Sequence, residues 1–380
     1  MAIVVGSAAL IIVLSVFNGF EDMVKSLYAT FYTDLKISPA SGKMIRLSEN
    51  QVKHISGMDG VKGYSLVAED RAWIQNGTLP SIVFLKGVDT NYSHITSIAQ
   101  HLVRGKFALG TREQPGLVLG SGIESALGVE SDREITPLTV YLFKTGESLQ
   151  QSDPSSALSA QNASTTGSFV IQQEFDNKYV FTNLDFMKLM LGLKDDEFSS
   201  MEIGVQRPVD ADRVKKNLQQ WLGSGYLVQT RYEQNQGLFS VMKTENWVIY
   251  GVLSLILIVA SFNMVGALTM LVLEKQKDIQ VLKAMGAQNS FIRKIFLGEG
   301  VMLTFIGGIT GILLALVIAW AQVHYKLVPL EGSSFLIDYY PIQLRAMDFV
   351  WVIATLLFVA LLASWIPSRK ASLQPSELRS

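Results

Sequence analysis

Apolar and polar positions divide the chain into four long uncharged runs and one long mixed segment. Residues 247–273 contain no charge, and the run ends at Glu274-Lys-Gln-Lys-Asp-Ile-Gln-Val-Leu-Lys-Ala-Met-Gly-Ala287, which is dense in charge. At about 1.5 Å per residue, a helix over that run reaches roughly 40 Å, enough to cross a bilayer with tilt. Residues 1–20, 301–323 and 349–368 are also uncharged. The pattern predicts an integral membrane α-helical protein with spans at 1–20, 247–273, 298–323 and 348–368. Between them lie 21–246, a short polar helix within 274–297, a loop at 324–347 and a tail at 369–380.

The long segment 21–246 reads as a large α+β domain. Ser48-Glu-Asn-Gln51 places glutamine three residues after a capping serine, which starts a helix expected to stop near Gly60. Residues 64–75 and 79–88 read as strands about Asn76-Gly77, a hairpin signal. Further on, 200–206 reads as strand, 211–222 as helix and 226–230 as strand. These pieces predict a split βαβ subdomain with a mainly-β subdomain inserted at about 90–195. Strands are expected there at 117–119, 135–143, 169–175 and 179–181, and a short helix at 184–190. Residues 148–168, rich in Ser, Thr, Gln and Asn, predict a mobile loop. A helix over 231–245 should continue into the second span.

Charge then orients the spans. Lys275, Lys277, Lys283, Arg293 and Lys294 lie in one connection and Arg369, Lys370 and Arg379 in the tail, against Lys326 and Arg345 in the opposite loop. The positive-inside rule therefore puts 274–297 and the C-terminus in the cytoplasm and 21–246 outside. No Lys or Arg precedes Lys25, and 15–20 lacks a small-x-small cleavage pattern, so a retained span preceded by further sequence is expected. Hydrophobic residues make up 49% and mean hydropathy is +0.28, moderate because the outer segment is ordinary soluble sequence. A formal charge of −1 without a basic patch argues against nucleic acid as a partner.

Chemistry is scarce. With no cysteine, thiol catalysis, disulfides and thiolate metal sites are excluded. His54, His94, His101 and His324 show no metal-ligand spacing, and no metal site is expected. No G-x-x-x-x-G-K-[ST], G-x-S-x-G or H-E-x-x-H occurs, so the chain neither hydrolyses ATP nor reads as an enzyme. In 274–296, Ile279, Leu282 and Met285 recur at three-residue spacing beside Val281. Such a helix rests in lipid headgroups or enters a groove of a cytoplasmic partner; spacing leaves both open. Gly300, Gly307, Gly308 and Gly311 form a small-residue face suited to close helix packing within the chain. Asn263, amid an apolar run, needs a polar partner or a cavity.

In these segments the sequence resembles the lipoprotein-releasing (LolC/LolE-type) permeases of the FtsX-like, MacB-type ABC transporter superfamily. The resemblance rests on Val13-Leu-Ser-Val-Phe-Asn-Gly-Phe-Glu21, Ser261-Phe-Asn-Met264, the 274–287 motif, Pro367-Ser-Arg-Lys-Ala371 and Gln374-Pro-Ser-Glu-Leu378, in that order. It implies that 274–297 holds a coupling helix seated on a separate ATPase, with contacts from Glu274, Lys275, Asp278, Ile279, Leu282, Lys283, Met285 and Gly286. It implies an ABC ATPase dimer holding the ATP and Mg, a second permease (the same chain or a paralogue), a lipoprotein substrate and a periplasmic carrier. No cofactor on this chain is implied. A lipid-facing substrate cavity between the first and second spans would draw on Leu10, Leu14, Phe17, Asn18, Val259, Phe262 and Asn263. Residues 148–168 stand where carrier-binding relatives have a hook loop. The alternatives are a MacB-like exporter of another substrate or an FtsX-like mechanotransmitter controlling a periplasmic hydrolase.

Overall fold

The computed structural model describes residues 1–132, 137–144, 158–329 and 339–373. A long helix α1 (Ala2–Phe31) precedes β1 (Leu35–Pro39), β2 (Ile45–Arg46), α2 (Glu49–Ser56), β3 (Val61–Asn76) and β4 (Leu79–Val88). Then come α3 (Tyr92–Ile95), β5 (Leu102–Gly105), β6 (Gly116–Gly120), α4 (Ser121–Leu127), β7 (Pro137–Phe143), β8 (Leu158–Phe169) and α5 (Gln173–Asp176). They are followed by β9 (Tyr179–Asn183), α6 (Leu184–Leu191), β10 (Glu197–Phe198), β11 (Ser200–Val205), α7 (Ala211–Leu222) and β12 (Tyr226–Thr230). The chain ends in α8 (Arg231–Gln234), α9 (Gln236–Glu274), α10 (Gln276–Ala284), α11 (Asn289–Tyr325) and α12 (Ala346–Ser372). It divides into two units, one around the long apolar helices and the other around residues 25–237.

In the second unit, ten strands form one sheet in the order β12-β1-β11-β3-β4-β9-β6-β8-β5, with β7 laid against β3 and β8. Only β4–β9 and β6–β8 are parallel among the described pairs. Local chemistry explains the elements that the sequence predicts. Ser48 Oγ accepts from Gln51 N at 3.3 Å while Gln51 Oε1 accepts from Ser48 N at 2.9 Å, closing the capping box that starts α2. The β3–β4 hairpin turns where Gly77 takes φ +55°, a left-handed conformation open to glycine. Helices α2, α6 and α7 bury Ile55, Met187 and Leu218 in the core shared with Leu35, Leu85, Leu119 and Ile203.

Several expectations are corrected. Residues 158–168 are not a loop but most of β8, and 169–175 is not a strand, since β8 ends at Phe169 and α5 begins at Gln173. Polar β8 is held by its neighbours: β7 pairs with Leu158–Ser164, and β6 and β5 take up the rest. Backbone donors and acceptors supply that ladder whatever the side chains are. The remainder of the expected loop, 148–157, and the start of the strand at 135–143 lie outside the described residues. Strands from 90–195 join the same sheet through β4–β9 and β3–β7. The helix over 231–245 is broken at Asn235, where φ −133° and ψ 46° separate α8 from α9.

A buried ion pair lies at the sheet centre. Lys86 Nζ on β4 sits 2.7 Å from Glu202 Oε1 on β11, with their side chains 4% and 3% exposed. Thr33 Oγ1 donates to the other Glu202 oxygen at 3.5 Å. The ammonium lies 4.9 Å from the Tyr92 ring centroid and 5.3 Å from that of Phe31, so aromatic faces replace part of its lost water. Burial first, and the Glu202 and Glu69 carboxylates next, raise the Tyr92 phenol well above its ordinary range. Phe31 itself stacks on Phe175 at 4.3 Å, and Tyr28 Oη donates to Glu174 at 2.6 Å.

In the first unit, α1, α9, α11 and α12 are each long and apolar enough to cross a membrane. Their shared core is Leu10, Ile11, Leu14, Leu257, Ala315, Val352 and Leu356. Helix α1 runs eleven residues past the expected end at 20, and α11 begins at Asn289 rather than 298.

Candidate functional site

The charged connection after the second span builds a compact corner. Lys275 leaves helical geometry (φ −89°, ψ 14°), which ends α9 and permits α10 to start in a new direction. Gly286 at φ +97° stops the turn that follows α10, a conformation that a side chain would strain. Ile279 is 2% exposed and packs with Val272, Ile292, Phe296 and Ala371 from three helices, with Leu282 alongside. Lys283 Nζ donates to the Ser372 carbonyl at 2.8 Å. The three-residue apolar row of Ile279 and Leu282 therefore points into the chain's own bundle. Val281 and Met285, 51% and 76% exposed, stand free one helical turn apart. Glu274, Lys277 and Gly286 are also exposed, and Lys275 pairs with Asp278 at 3.2 Å. The sequence placed the outward ridge on Ile279, Leu282 and Met285. The bundle takes Ile279 fully and Leu282 in part, because four helix ends meet there around an apolar gap that Ile279 fills.

The glycine face of α11 packs within the unit. A Cβ at Gly300 would overlap the Ser364 hydroxyl, and one at Gly311 would overlap Ser7 and the Val4 carbonyl. Gly308 would meet Leu356 at 2.9 Å and Gly307 would meet Ile3 at 3.2 Å. These glycines bring α11 against α1 and α12 at backbone distance.

At the other end of α1, the 13–21 motif forms a clasp on the chain leading into α12. Ser15 O accepts from Gln343 N at 2.9 Å, and Asn18 Nδ2 donates to Asp348 Oδ2. A side chain at Gly19 would strike the Pro341 carbonyl. Arg345 then pairs with Glu21 at 3.0 Å and Asp22 at 2.8 Å. Positions 15, 18, 19 and 22 share one helix face, so their spacing gives the clasp its line. Sequence reasoning missed Arg345 and Asp348; the signal was a lone cation and a lone carboxylate just before the fourth apolar run. Gly19→Ala should lift 339–345 from α1 at a cost of about 1–3 kcal/mol. A single cysteine at half-buried Ile342, which lies against Gly19, reads this without background, since the chain has none of its own. Faster thiol labelling in Gly19→Ala is expected; equal rates would deny the contact.

The expected cavity residues divide. Leu10 and Leu14, 0% and 5% exposed, belong to the bundle core, and Asn18 is enclosed by its bond to Asp348. Val259 and Phe262 are 58% and 66% exposed and share the outward face of α9 with Asn263. Phe17 lies between, lining a groove of about 490 Å³ with Val241, Thr244, Val248 and other α9 residues. Leu10 is enclosed because it packs in one core with residues of α9, α11 and α12, which a hydropathy pattern does not reveal. Among the described residues, no three His, Asp or Glu side chains gather as a metal site.

Residues 250–375 match the FtsX-like permease C-terminal family. Over 401 aligned residues the chain is 28% identical to the lipoprotein-releasing system transmembrane protein LolE of Haemophilus influenzae, covering 100% of this chain and 92% of that protein. It is 24% identical over 400 residues to the corresponding LolC of Neisseria meningitidis, covering 99% and 91%. Among solved structures, the periplasmic region of MacB from Actinobacillus actinomycetemcomitans aligns with 56% of this chain and 94% of its own, at 9% identity and a TM-score of 0.39.

Proposed function

We propose that this chain, an ABC transporter permease related to LolE and LolC, is the membrane subunit of an ATP-driven complex that extracts lipoproteins and passes them to a periplasmic carrier. The observation carrying this reading is the full-length likeness, which takes in the outer domain as well as the spans. The FtsX-like match alone covers 250–375, which holds three of the four spans, and exporters and mechanotransmitters would share it.

The parts fit that work. Each buried methylene of an acyl chain contributes about 0.8 kcal/mol to membrane anchoring, so extraction needs an external energy source. In this reading ATP and Mg are held by a separate ATPase dimer on the cytoplasmic side, and these 380 residues carry no phosphate-binding loop. The exposed Val281–Met285 pair, flanked by Glu274, Lys277 and Asp278, is the surface offered to that ATPase. On α9, Val252, Leu255, Ile256, Val259 and Phe262 form an apolar outward face for acyl chains and for a second permease, with Asn263 as its polar mark. In the outer unit, Trp73, Ile82, Phe143 and Leu158 expose apolar surface around a cavity of about 530 Å³. Phe143 and Leu158 end the strands that bracket 144–157, so this patch is the carrier-docking candidate. The Lys and Arg distribution supports a cytoplasmic C-terminus.

The test is reconstitution in proteoliposomes with the ATPase and a paralogous permease, loaded with a fluorescent triacylated lipoprotein. ATP-dependent transfer to a soluble carrier is expected. Absence of transfer despite normal ATPase stimulation would move the assignment to an exporter of another substrate or to mechanotransmission.

A further inference from the structure

One cavity of the first unit, about 160 Å³, opens where α1, α9 and α12 meet and is lined in part by Lys243, Asn246, Trp247, Tyr250, Asp348 and Trp351. It is separate from the outward face of α9 and from the α10 corner. We infer that it binds the headgroup of an ethanolamine phospholipid from the surrounding leaflet. The inference rests on the four-span reading, not on lipoprotein as cargo.

The lining presents both signs of charge. Lys243 is exposed and makes no ion pair among the described residues, which leaves its ammonium for a phosphate. Asp348 takes the Asn18 amide on Oδ2, and its Oδ1 has lone pairs to offer. Asn246 Oδ1 is buried without a hydrogen-bond partner, an arrangement that costs free energy until a donor arrives. One cation and one anion complement a zwitterion better than an anionic lipid.

The two acceptors decide between zwitterions. Asn246 Oδ1 and the Asp348 carboxylate both need N–H groups. A primary ammonium brings three, whereas a trimethylammonium brings none. Trp247, Tyr250 and Trp351 are the residue types that settle at a membrane interface, which puts the cavity at headgroup depth. Tyr250 Oη is held by the Trp351 carbonyl at 3.3 Å and by Thr355, so this wall is fixed before a ligand enters.

The experiment uses the full chain purified with its ATPase and exchanged into mixed micelles of dioleoyl phosphatidylethanolamine, phosphatidylcholine or phosphatidylglycerol, with retained lipid read by native mass spectrometry. Ethanolamine lipid should be retained about tenfold over choline lipid, and Asn246→Leu should remove that preference. Lys243→Gln should weaken retention of the ethanolamine and glycerol lipids alike. An unchanged thermal midpoint in each variant establishes that the fold is intact; a variant that fails this is replaced by Asn246→Asp, which adds an acceptor and should strengthen the preference. Equal retention of ethanolamine and choline lipids, or a preference untouched by Asn246→Leu, would overturn the assignment. Displacement of the lipid by millimolar inorganic phosphate, with no effect of lipid type, would make this a free-phosphate site and overturn it as well.

Discussion

Replacing Val281 and Met285 together by aspartate should leave the chain folded and reduce ATP-coupled transport at least tenfold. Both side chains point away from the bundle, so new charge there meets solvent and costs the isolated subunit little. In an apolar groove the same carboxylates would be desolvated without partners, at several kcal/mol in total. That is more than the factor of ten that 1.4 kcal/mol represents. Ile279→Ala should behave in the opposite way. It empties a site packed by three other helices and should cost about 2–5 kcal/mol of stability, with ATPase binding changed only as the fold is lost. Copurification of the ATPase and the thermal midpoint, measured on both variants, separate the two roles. A double-aspartate variant that keeps its ATPase would mean that α10 rests in the headgroup layer and couples nothing.

Glu202→Ala should be the most destabilising single change in the outer unit. It strands the Lys86 ammonium where side chains are 4% exposed or less, and breaking a buried pair in this way typically costs about 3–5 kcal/mol. Domains of this size hold about 5–15 kcal/mol, so about a fifth of the margin or more would go. Removing both charges is a different experiment. In Lys86→Met with Glu202→Leu no charge is left unpaired, and stability should return to within about 1–2 kcal/mol of the parent. Urea unfolding followed by tryptophan fluorescence measures all three proteins. If the double variant were as unstable as Glu202→Ala, packing around Phe31 and Tyr92, and not charge, would be the cause.

Where neighbours in sequence determine structure, the chain was readable. The α2 capping box, the Asn76-Gly77 turn, α7 and β12 all follow from short-range chemistry, and the four apolar runs follow from length. Misreadings cluster where distant partners decide. β8 is polar and looks like a loop, yet the preceding strand β7 and the more distant β5 and β6 give its backbone a ladder. Ile279 and Val281 are similar residues two positions apart, and only the arrival of Phe296 and Ala371 makes one a core residue and the other a surface one. The 13–21 motif is conspicuous in sequence, but its Leu14, Phe17 and Asn18 read as cavity wall, because the counterparts Pro341, Gln343, Arg345 and Asp348 lie more than 300 residues away. Hydropathy gives the length of an apolar helix but not which side meets protein, so the cavity list mixed enclosed Leu10 with outward Phe262.

The pairing of β1 with β11 and β12 also sets an order of events during synthesis. Leu35 leaves the ribosome early, yet its partners Ile203 and Thr230 follow well over a hundred residues later. Such non-local pairing delays closure of the sheet, because the intervening loop must be paid for in entropy first. Until Glu202 has been translocated Lys86 has no partner beside it, and until Thr230 follows β1 has an open edge. The newly made outer domain thus passes through a period of vulnerability to proteases and to strand-to-strand aggregation, and that period ends only as the second span begins to emerge.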